Sequence, residues 1–252
     1  MNRVAISILT WNSMQDINML FKSISKEIDI LKSKNFDVMV YLVDNGSFDG
    51  TINFLENQKY FSFDYIVKNK INLGISRSKN MMIKKSIEDE IDFFFMFDDD
   101  QYVIENSFIK MIEFMVNHDS VGCFAHNAIF YTKDLNDKRI PIKFPDLSDL
   151  SIQWNIKSGV GSTRAFCSYS LFREKIFKNG ICFDESGPFG EAGYGFDDDD
   201  LGMQMKENDW DICVFNNIYV YHNISSSVPL LKKQNNFRYN DRKLYLQKKW
   251  GL

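Results

Sequence analysis

Through the first hundred residues short apolar runs alternate with amphipathic stretches. Val4 to Leu9 is almost continuously apolar and predicts a first strand. Ile17, Leu20, Phe21, Ile24, Ile28 and Leu31 then recur at helical spacing, and Ser13 with Asp16 ahead of them resembles a capping box, so a long amphipathic helix follows. Val38 to Val43 reads as a second strand that ends in the turn formers Asp44-Asn45-Gly46-Ser47, with a short helix from near Asp49. Phe63 to Val67 predicts a third strand and Ile75 to Ile87 a helix. Ile91 to Phe97 predicts a fourth strand buried on both faces. Such alternation is the mark of an α/β fold with a mostly parallel sheet covered by helices.

Beyond Asp100 the pattern predicts a helix over about Ser107 to Val116 and a strand region from Val121 to Tyr131. Regular alternation then stops. The stretch from about Lys133 to Lys157 is polar, carries Pro141 and Pro145, and predicts a long surface loop that shapes or covers a site. Helical patterns return at about Leu171 to Phe177 and Asp199 to Glu207, with strands at Ile212 to Phe215 and Ile218 to Tyr221. A basic tail, Lys232-Lys233 and Arg238 through Lys249, closes the chain and reads as solvated surface.

Composition narrows the function classes. At 252 residues, 44% hydrophobic and 25% charged, the chain can bury one large core and does not have the composition of a disordered protein. A formal net charge of −4 gives no bulk attraction to nucleic acid. The four cysteines, Cys123, Cys167, Cys182 and Cys213, show no metal-type spacing and make no disulfide scaffold, so a reducing cytoplasm is the expected setting. No window approaches the ~18 apolar residues of a membrane span, including the Phe93 to Phe97 run, and any membrane contact is expected to be peripheral.

Asp98-Asp99-Asp100 follows the most apolar strand, which places it at the carboxyl edge of a parallel sheet, where open α/β sheets bind ligands. Three adjoining carboxylates repel one another, and a hard divalent cation such as Mn²⁺ or Mg²⁺ holding phosphate oxygens relieves that repulsion. In extended chain Asp98 and Asp100 share a side and Asp99 is turned elsewhere. A solvated acidic turn is the plainer alternative. Asp44 ends the second strand at the same edge, where it could accept hydrogen bonds from a nucleobase or simply build an Asx turn. Asn72-Leu73-Gly74 leads into a helix whose free N–H groups and Arg77 could meet phosphate, although Arg77 could equally form a surface salt bridge. The segment from Gly190 to Leu201 sets glycines around Tyr194 and then four acids, Asp197 to Asp200, at a helix start. Helix capping accounts for one or two of those acids; with Glu191, the others could supply a general base. His222 ends a strand and could complete a metal shell, whereas His118 and His126 read as structural.

Taken in order, Ile6 to Asn12, Val43 to Thr51, Asn72-Leu73-Gly74 with Arg77 and Asn80, Asp98-Asp99-Asp100, Phe183-Asp184-Glu185, Gly193 to Leu201 and Lys249-Trp250-Gly251 resemble family-2 glycosyltransferases of the GT-A fold. The resemblance spans nearly the whole chain. It implies one GT-A domain over residues 1–230, with a nucleotide-sugar half (1–100) and an acceptor half (101–230), followed by a basic extension (231–252). The donor would be held by Thr10, Asn12, Asp44, Asn72, Gly74, Arg77, Asp98 and Asp99, and the metal by Asp98, Asp100 and His222. Glu191, Gly193, Tyr194, Gly195 and Asp197 would face the sugar or acceptor. The family's Glu-Asp-x-Asp-Leu stretch aligns with Asp197 to Leu201, which makes Asp198 the implied base and Asp199 its reserve; Asp197 stands where the family has Glu. The Gly-Tyr-Gly-Phe lead-in is also similar to the Gly-Trp-Gly-Gly segment of galactosyl- and N-acetylgalactosaminyltransferases, where an aromatic packs on a sugar and a later histidine binds the metal.

The expectation is therefore a metal-dependent hexosyl- or N-acetylhexosaminyltransferase that inverts the anomeric centre. The family implies a UDP-sugar donor. The acceptor is left open among a glycan, a lipid-linked glycan, a protein and a modified nucleobase. Two rivals stand beside it: a carbohydrate- or nucleotide-sugar-binding module without turnover, and a nucleotidyltransferase, which would release pyrophosphate.

Overall fold

The computed structural model describes residues 2–133, 139–141, 169–193, 195–223 and 238–252; most of the expected 133–157 loop lies outside them, and so does Tyr194. In chain order the elements are β1 (Arg3–Thr10), α1 (Ile17–Ser33), β2 (Asp37–Asp44), α2 (Thr51–Asn57), β3 (Tyr65–Lys68), α3 (Ile75–Glu88), β4 (Phe93–Asp98), β5 (Gln101–Val103), α4 (Ser107–Val116), β6 (Val121–Lys133), β7 (Arg139–Pro141), β8 (Tyr169–Arg173), α5 (Lys175–Lys178), a 3-10 turn (Gly187–Gly190), α6 (Asp197–Glu207), β9 (Asp211–Asn223) and α7 (Tyr239–Trp250). The strands form one sheet in the order β3-β2-β1-β4-β8-β6-β9-β5, with β7 paired to β6. Pairing is parallel across β3-β2-β1-β4 and again between β6 and β9, and antiparallel at β4–β8, β8–β6, β9–β5 and β6–β7.

Alternation along β1 divides the core into two layers, since successive side chains point to opposite faces. Val4, Ile6 and Ile8 pack with α1 and α4, against Leu20, Phe21, Ile24, Phe108 and Met111. Ala5 and Leu9 pack on the other face with Met82 and Ile83 of α3, Ile176 of α5 and Leu201 and Met205 of α6. Phe95 and Phe97 of β4 stack on Phe108 at centroid distances of 4.0 and 5.5 Å, which joins α4 to the strand that carries the acidic triplet.

Four readings differ from expectation, the first being that the two strands expected at Ile212 to Phe215 and Ile218 to Tyr221 are one, β9. Leu171 to Phe177 is not one helix: Tyr169–Arg173 is a strand inserted between β4 and β6, and only Lys175–Lys178 turns helically. A short apolar run buried on both sides has no period that separates strand from helix, and here the open hydrogen-bonding edge of β4 decides. Ser13 does not cap α1; its N–H donates to Thr51 Oγ1 (3.0 Å) and its hydroxyl lies 3.4 Å from the Asp99 carbonyl, tying the end of β1 to the triplet. The basic tail is not all solvated surface, because α7 buries Arg242 and Leu246 completely or nearly so. No helix among the described residues is long and apolar enough to cross a membrane.

Helix α4 is capped at both ends by side chains from distant elements. At its start the Glu27 carboxylate, fully buried on α1, accepts the N–H groups of Asn106 (2.5 Å) and Phe108 (2.8 Å). At its end the Arg173 guanidinium donates to the carbonyls of Met115 (2.6 Å), His118 (3.2 Å) and Val121 (3.2 Å). Burial pushes the Glu27 carboxyl up to about 7, against the lowering pull of the two backbone N–H groups. Its folded value lies above the unfolded one, so the folded chain keeps this proton across a range where the unfolded chain has lost it. Stability from this group therefore falls as pH rises from about 4.5 to about 7, by roughly 3 kcal/mol in all. Denaturant unfolding between pH 5 and 8 is expected to show this slope in the wild type and a flatter profile in Glu27→Gln; identical profiles would refute it.

Candidate active site

Parallel pairing brings three strand ends into one row. Thr10 of β1 lies opposite Asp44 of β2, and Leu9 lies opposite Asp98 of β4, so the row stands at the carboxyl edge of the sheet. Asp44 is fully buried. Its Oδ2 accepts the N–H groups of Gly46 (3.2 Å) and Ser47 (3.1 Å), which is the Asx turn, while its buried Oδ1 has no hydrogen-bond partner among the described residues. A buried carboxylate oxygen left this way can accept an N–H from a ligand. Asn12 clamps the same turn, accepting Phe48 N–H (2.8 Å) while its backbone N–H donates to Ser47 Oγ (2.8 Å), and its buried Nδ2 is likewise unpartnered. The buried indole N–H of Trp11 is a second donor with no hydrogen-bond partner among the described residues, on a residue the sequence reading did not single out for the site.

The acidic triplet is not extended chain as expected: β4 ends at Asp98, and Asp99-Asp100 make the turn into β5. Asp99 is buried and accepts the backbone N–H of Trp11 (2.8 Å), so it secures the end of β1; burial first, and then Asp100, push its carboxyl up well above the usual range. Asp98 and Asp100 each meet a cationic or ionisable partner of their own. Asp98 Oδ1 pairs with Lys79 Nζ at 3.1 Å, and Lys79 is buried on α3 with its ammonium 5.7 Å from the Phe183 ring centroid. Burial raises the Asp98 carboxyl; Lys79 opposes the shift and Asp100 adds to it. Asp100 Oδ1 lies 3.2 Å from His222 Nε2, because β5 pairs with β9 with Gln101 opposite His222. Burial depresses the His222 imidazolium, but Asp100, with Asp98 and Asp198, outweighs it and the net shift is upward.

Lys79 is thus the α3 cation that meets the triplet. Arg77 points away to Glu185 at 3.9 Å, with both side chains half exposed, and lines an open cavity of about 480 Å³ with Asn80, Met81 and Cys182. Asn72 and Gly74 hold the loop before α3: Asn72 Oδ1 accepts from Asn45 Nδ2 and from Gly74 N–H, both at 2.9 Å. Gly74 has φ +90° and lies so close to Glu191 that a Cβ would stand 2.5 Å from its carbonyl oxygen, which brings the donor-side loop against the glycine-rich segment with no side chain between.

That segment is organised by α7. Arg242 donates to the carbonyls of Glu191 (2.9 Å) and Gly195 (3.3 Å) and pairs with Asp197 (3.5 Å). Asp200 is buried among Lys249 Nζ (2.7 Å), Trp250 Nε1 (2.8 Å) and Gln204 Nε2 (2.9 Å). Two of the four acids are therefore turned into the protein, and the glycine segment's Glu191 carboxylate pairs with Arg238 at 2.8 Å. Asp198 is half-buried elsewhere on α6; burial raises the Cys123 thiol and the Asp198 charge adds slightly to it, as it adds to the upward pull of Asp100 and Asp98 on His222. Asp199 is half-buried beside it, and Gly193 packs on the Arg242 guanidinium.

A divalent cation was expected on Asp98, Asp100 and His222. Among the described residues no three His, Cys, Asp or Glu side chains are grouped tightly enough to hold a metal ion. The donor set nonetheless fits one in kind: two carboxylates and an imidazole at a sheet edge suit Mn²⁺ or Mg²⁺, with the Lys79 ammonium lying where Asp98 would turn from.

Solved structures share this fold. S. aureus TarS 1-349 superposes with a TM-score of 0.63 at 19% identity, covering 88% of this chain and 60% of that one. Its complex with UDP-GlcNAc matches at 0.63 and 18%, covering 88% and 59%. GalNAc-T7 with UDP, GalNAc and Mn²⁺ matches at 0.61 and 11%, covering 88% and 44%. The chain thus spans about three fifths of the TarS fragment. No curated protein matches it. The sequence profile described as Glycosyl transferase family 2 matches residues 6–177, well over half the chain and including the Asp44 turn, the α3 loop and the acidic triplet. On that match, and on a sheet of the GT-A kind, the chain belongs to glycosyl transferase family 2.

Proposed function

We propose that the chain is a metal-dependent glycosyltransferase that carries a hexose or N-acetylhexosamine from a UDP-sugar to an acceptor hydroxyl with inversion. The observation that carries this reading is the convergence on one sheet edge of an unpartnered Asp44 oxygen, the Asp98 and Asp100 carboxylates and, from α6, the charge of Asp198 felt at His222. That TarS is seen with UDP-GlcNAc and GalNAc-T7 with UDP and Mn²⁺ supports the donor class and the cation.

In this reading Asp44 Oδ1 accepts the imide N–H of the base and Asn12 Nδ2 donates to a base carbonyl, while Thr10 stands between them and the phosphates. Asp98, Asp100 and neutral His222 would hold the cation, whose charge stabilises the departing diphosphate. Lys79 balances Asp98, and the free backbone N–H groups at the start of α3 are kept as a further diphosphate contact, while Arg77, turned to Glu185, is not. Glu191, Gly193 and Gly195, with Tyr194 outside the described residues, are the proposed contacts on the sugar and acceptor side; Asp197, turned into the protein, is not among them. Asp198 takes the acceptor's hydroxyl proton as the acceptor oxygen bonds to the anomeric carbon and the bond from that carbon to the diphosphate oxygen breaks. Attack opposite the leaving group inverts the centre.

Thermal shift and donor hydrolysis against a set of nucleotide-sugars, with Mn²⁺, Mg²⁺ or chelator, test the proposal. A ligand that binds only the folded chain raises its melting temperature, so the expected result is a shift and a turnover that both need a divalent cation and one UDP-sugar. Binding without consumption would favour the module without turnover, and release of pyrophosphate would favour a nucleotidyltransferase.

A further inference from the structure

Arg242 has no part in the reading above, yet it is a fully buried arginine on the last helix whose targets all lie in residues 191–197. It bonds the carbonyl of Glu191 at one end of the glycine segment, the carbonyl of Gly195 near the other, and the carboxylate of Asp197 at the start of α6. Gly193 lies between, so close that a Cβ would stand 2.8 Å from Nε. The segment is wrapped around one planar guanidinium, whose fork fixes directions that a lysine's point charge cannot. The Phe189 ring centroid, 5.4 Å from the guanidinium carbon, adds a cation–π contact.

The helical period explains what this does to the acids. Asp197 and Asp200, three residues apart, share a face and are both held by α7, through Arg242 and through Lys249 with Trp250. Asp198 is rotated by about a quarter turn from Asp197 and so stands off the face that α7 holds. We propose that Arg242 is a positioning residue: by clamping residues 191–197 it sets the angle at which α6 presents Asp198 and the shape of the acceptor wall. The proposal rests on Asp198 as the base.

Arg242→Lys, Asp197→Asn and the double variant are compared with the wild type for melting temperature, thermal shift with UDP-GlcNAc and Mn²⁺ as probes, donor consumption, and amide exchange of residues 191–196. The expected result is a retained donor shift, consumption slower by roughly 10- to 100-fold in each single variant, and a double variant no slower than either. Exchange across 191–196 is expected to quicken while β1, β2 and α3 are unchanged. Unchanged consumption, or losses that multiply in the double variant, would overturn the clamp. Should Arg242→Lys not fold, Asp197→Asn decides alone, since it removes the partner without changing side-chain size. A wild type that consumes no donor would remove the base reading, and exchange would still decide the clamp: equal rates across 191–196 in variant and wild type refute it.

Discussion

Asp198→Asn is expected to slow transfer by about 10²- to 10⁴-fold while the thermal shift from donor and cation stays as in the wild type. The substitution keeps size and hydrogen bonding and removes the ability to take a proton. The expectation singles out Asp198 because its neighbours have other tasks: Asp197 pairs with Arg242, and Asp200 is enclosed by Lys249, Trp250 and Gln204. Asp199→Asn is the control and is expected to retain most of the rate. The opposite pattern, with Asp199→Asn inactive and Asp198→Asn unaffected, would move the base by one residue. Loss of the donor shift in Asp198→Asn would instead mean that the residue serves binding.

Lys79→Met is expected to lower stability by about 3 kcal/mol, the low end for breaking a buried ion pair because Asp98 keeps a third of its side chain in solvent. For a chain of this size that corresponds to a melting temperature lower by roughly 6–12 °C. Methionine fills the lysine's space beside Phe183, so the loss measures charge, not a cavity. The variant leaves Asp98 facing Asp100 without its counter-ion, and Mn²⁺ is expected to recover part of the lost stability if both are cation ligands. No recovery at saturating Mn²⁺ would separate Asp98 from the cation, and no loss in chelator would show that the pair contributes nothing.

The donor side of the fold was legible because it is built from local patterns. The apolar runs at Val4 to Leu9, Val38 to Val43 and Ile91 to Phe97 became parallel strands, and the polar residues that end them share an edge for that reason. Residues whose role depends on distant partners were not legible. Lys79 was overlooked for Arg77, two positions away and so on nearly the opposite side of α3. Its spacing from Met82, Ile83 and Ser86, all buried, was the signal that it faces the sheet. Arg242 looked like one cation in a solvated tail, since its acceptors are two carbonyls and an acid 45 to 51 residues earlier in the chain. Strand β8 was misread because the edge that recruits it belongs to β4, far away in sequence. The glycine-aromatic segment was recognised by type, but that Asp197 and Asp200 are held by α7 depends on partners far along the chain.

The acidic triplet is held from two sides: β4 joins it to β1 and β8, whereas β5, immediately after it, is paired among the described residues with β9 alone. During synthesis the first four strands can therefore assemble while the triplet's downstream flank still has nothing to pair with, and Asp100 meets His222 only after residue 222 has left the ribosome. The Asp100–His222 pair therefore forms only once β9 has been made, so a product truncated before β9 keeps the strand ends around Asp44 and Asp98 while Asp100 lacks its imidazole partner.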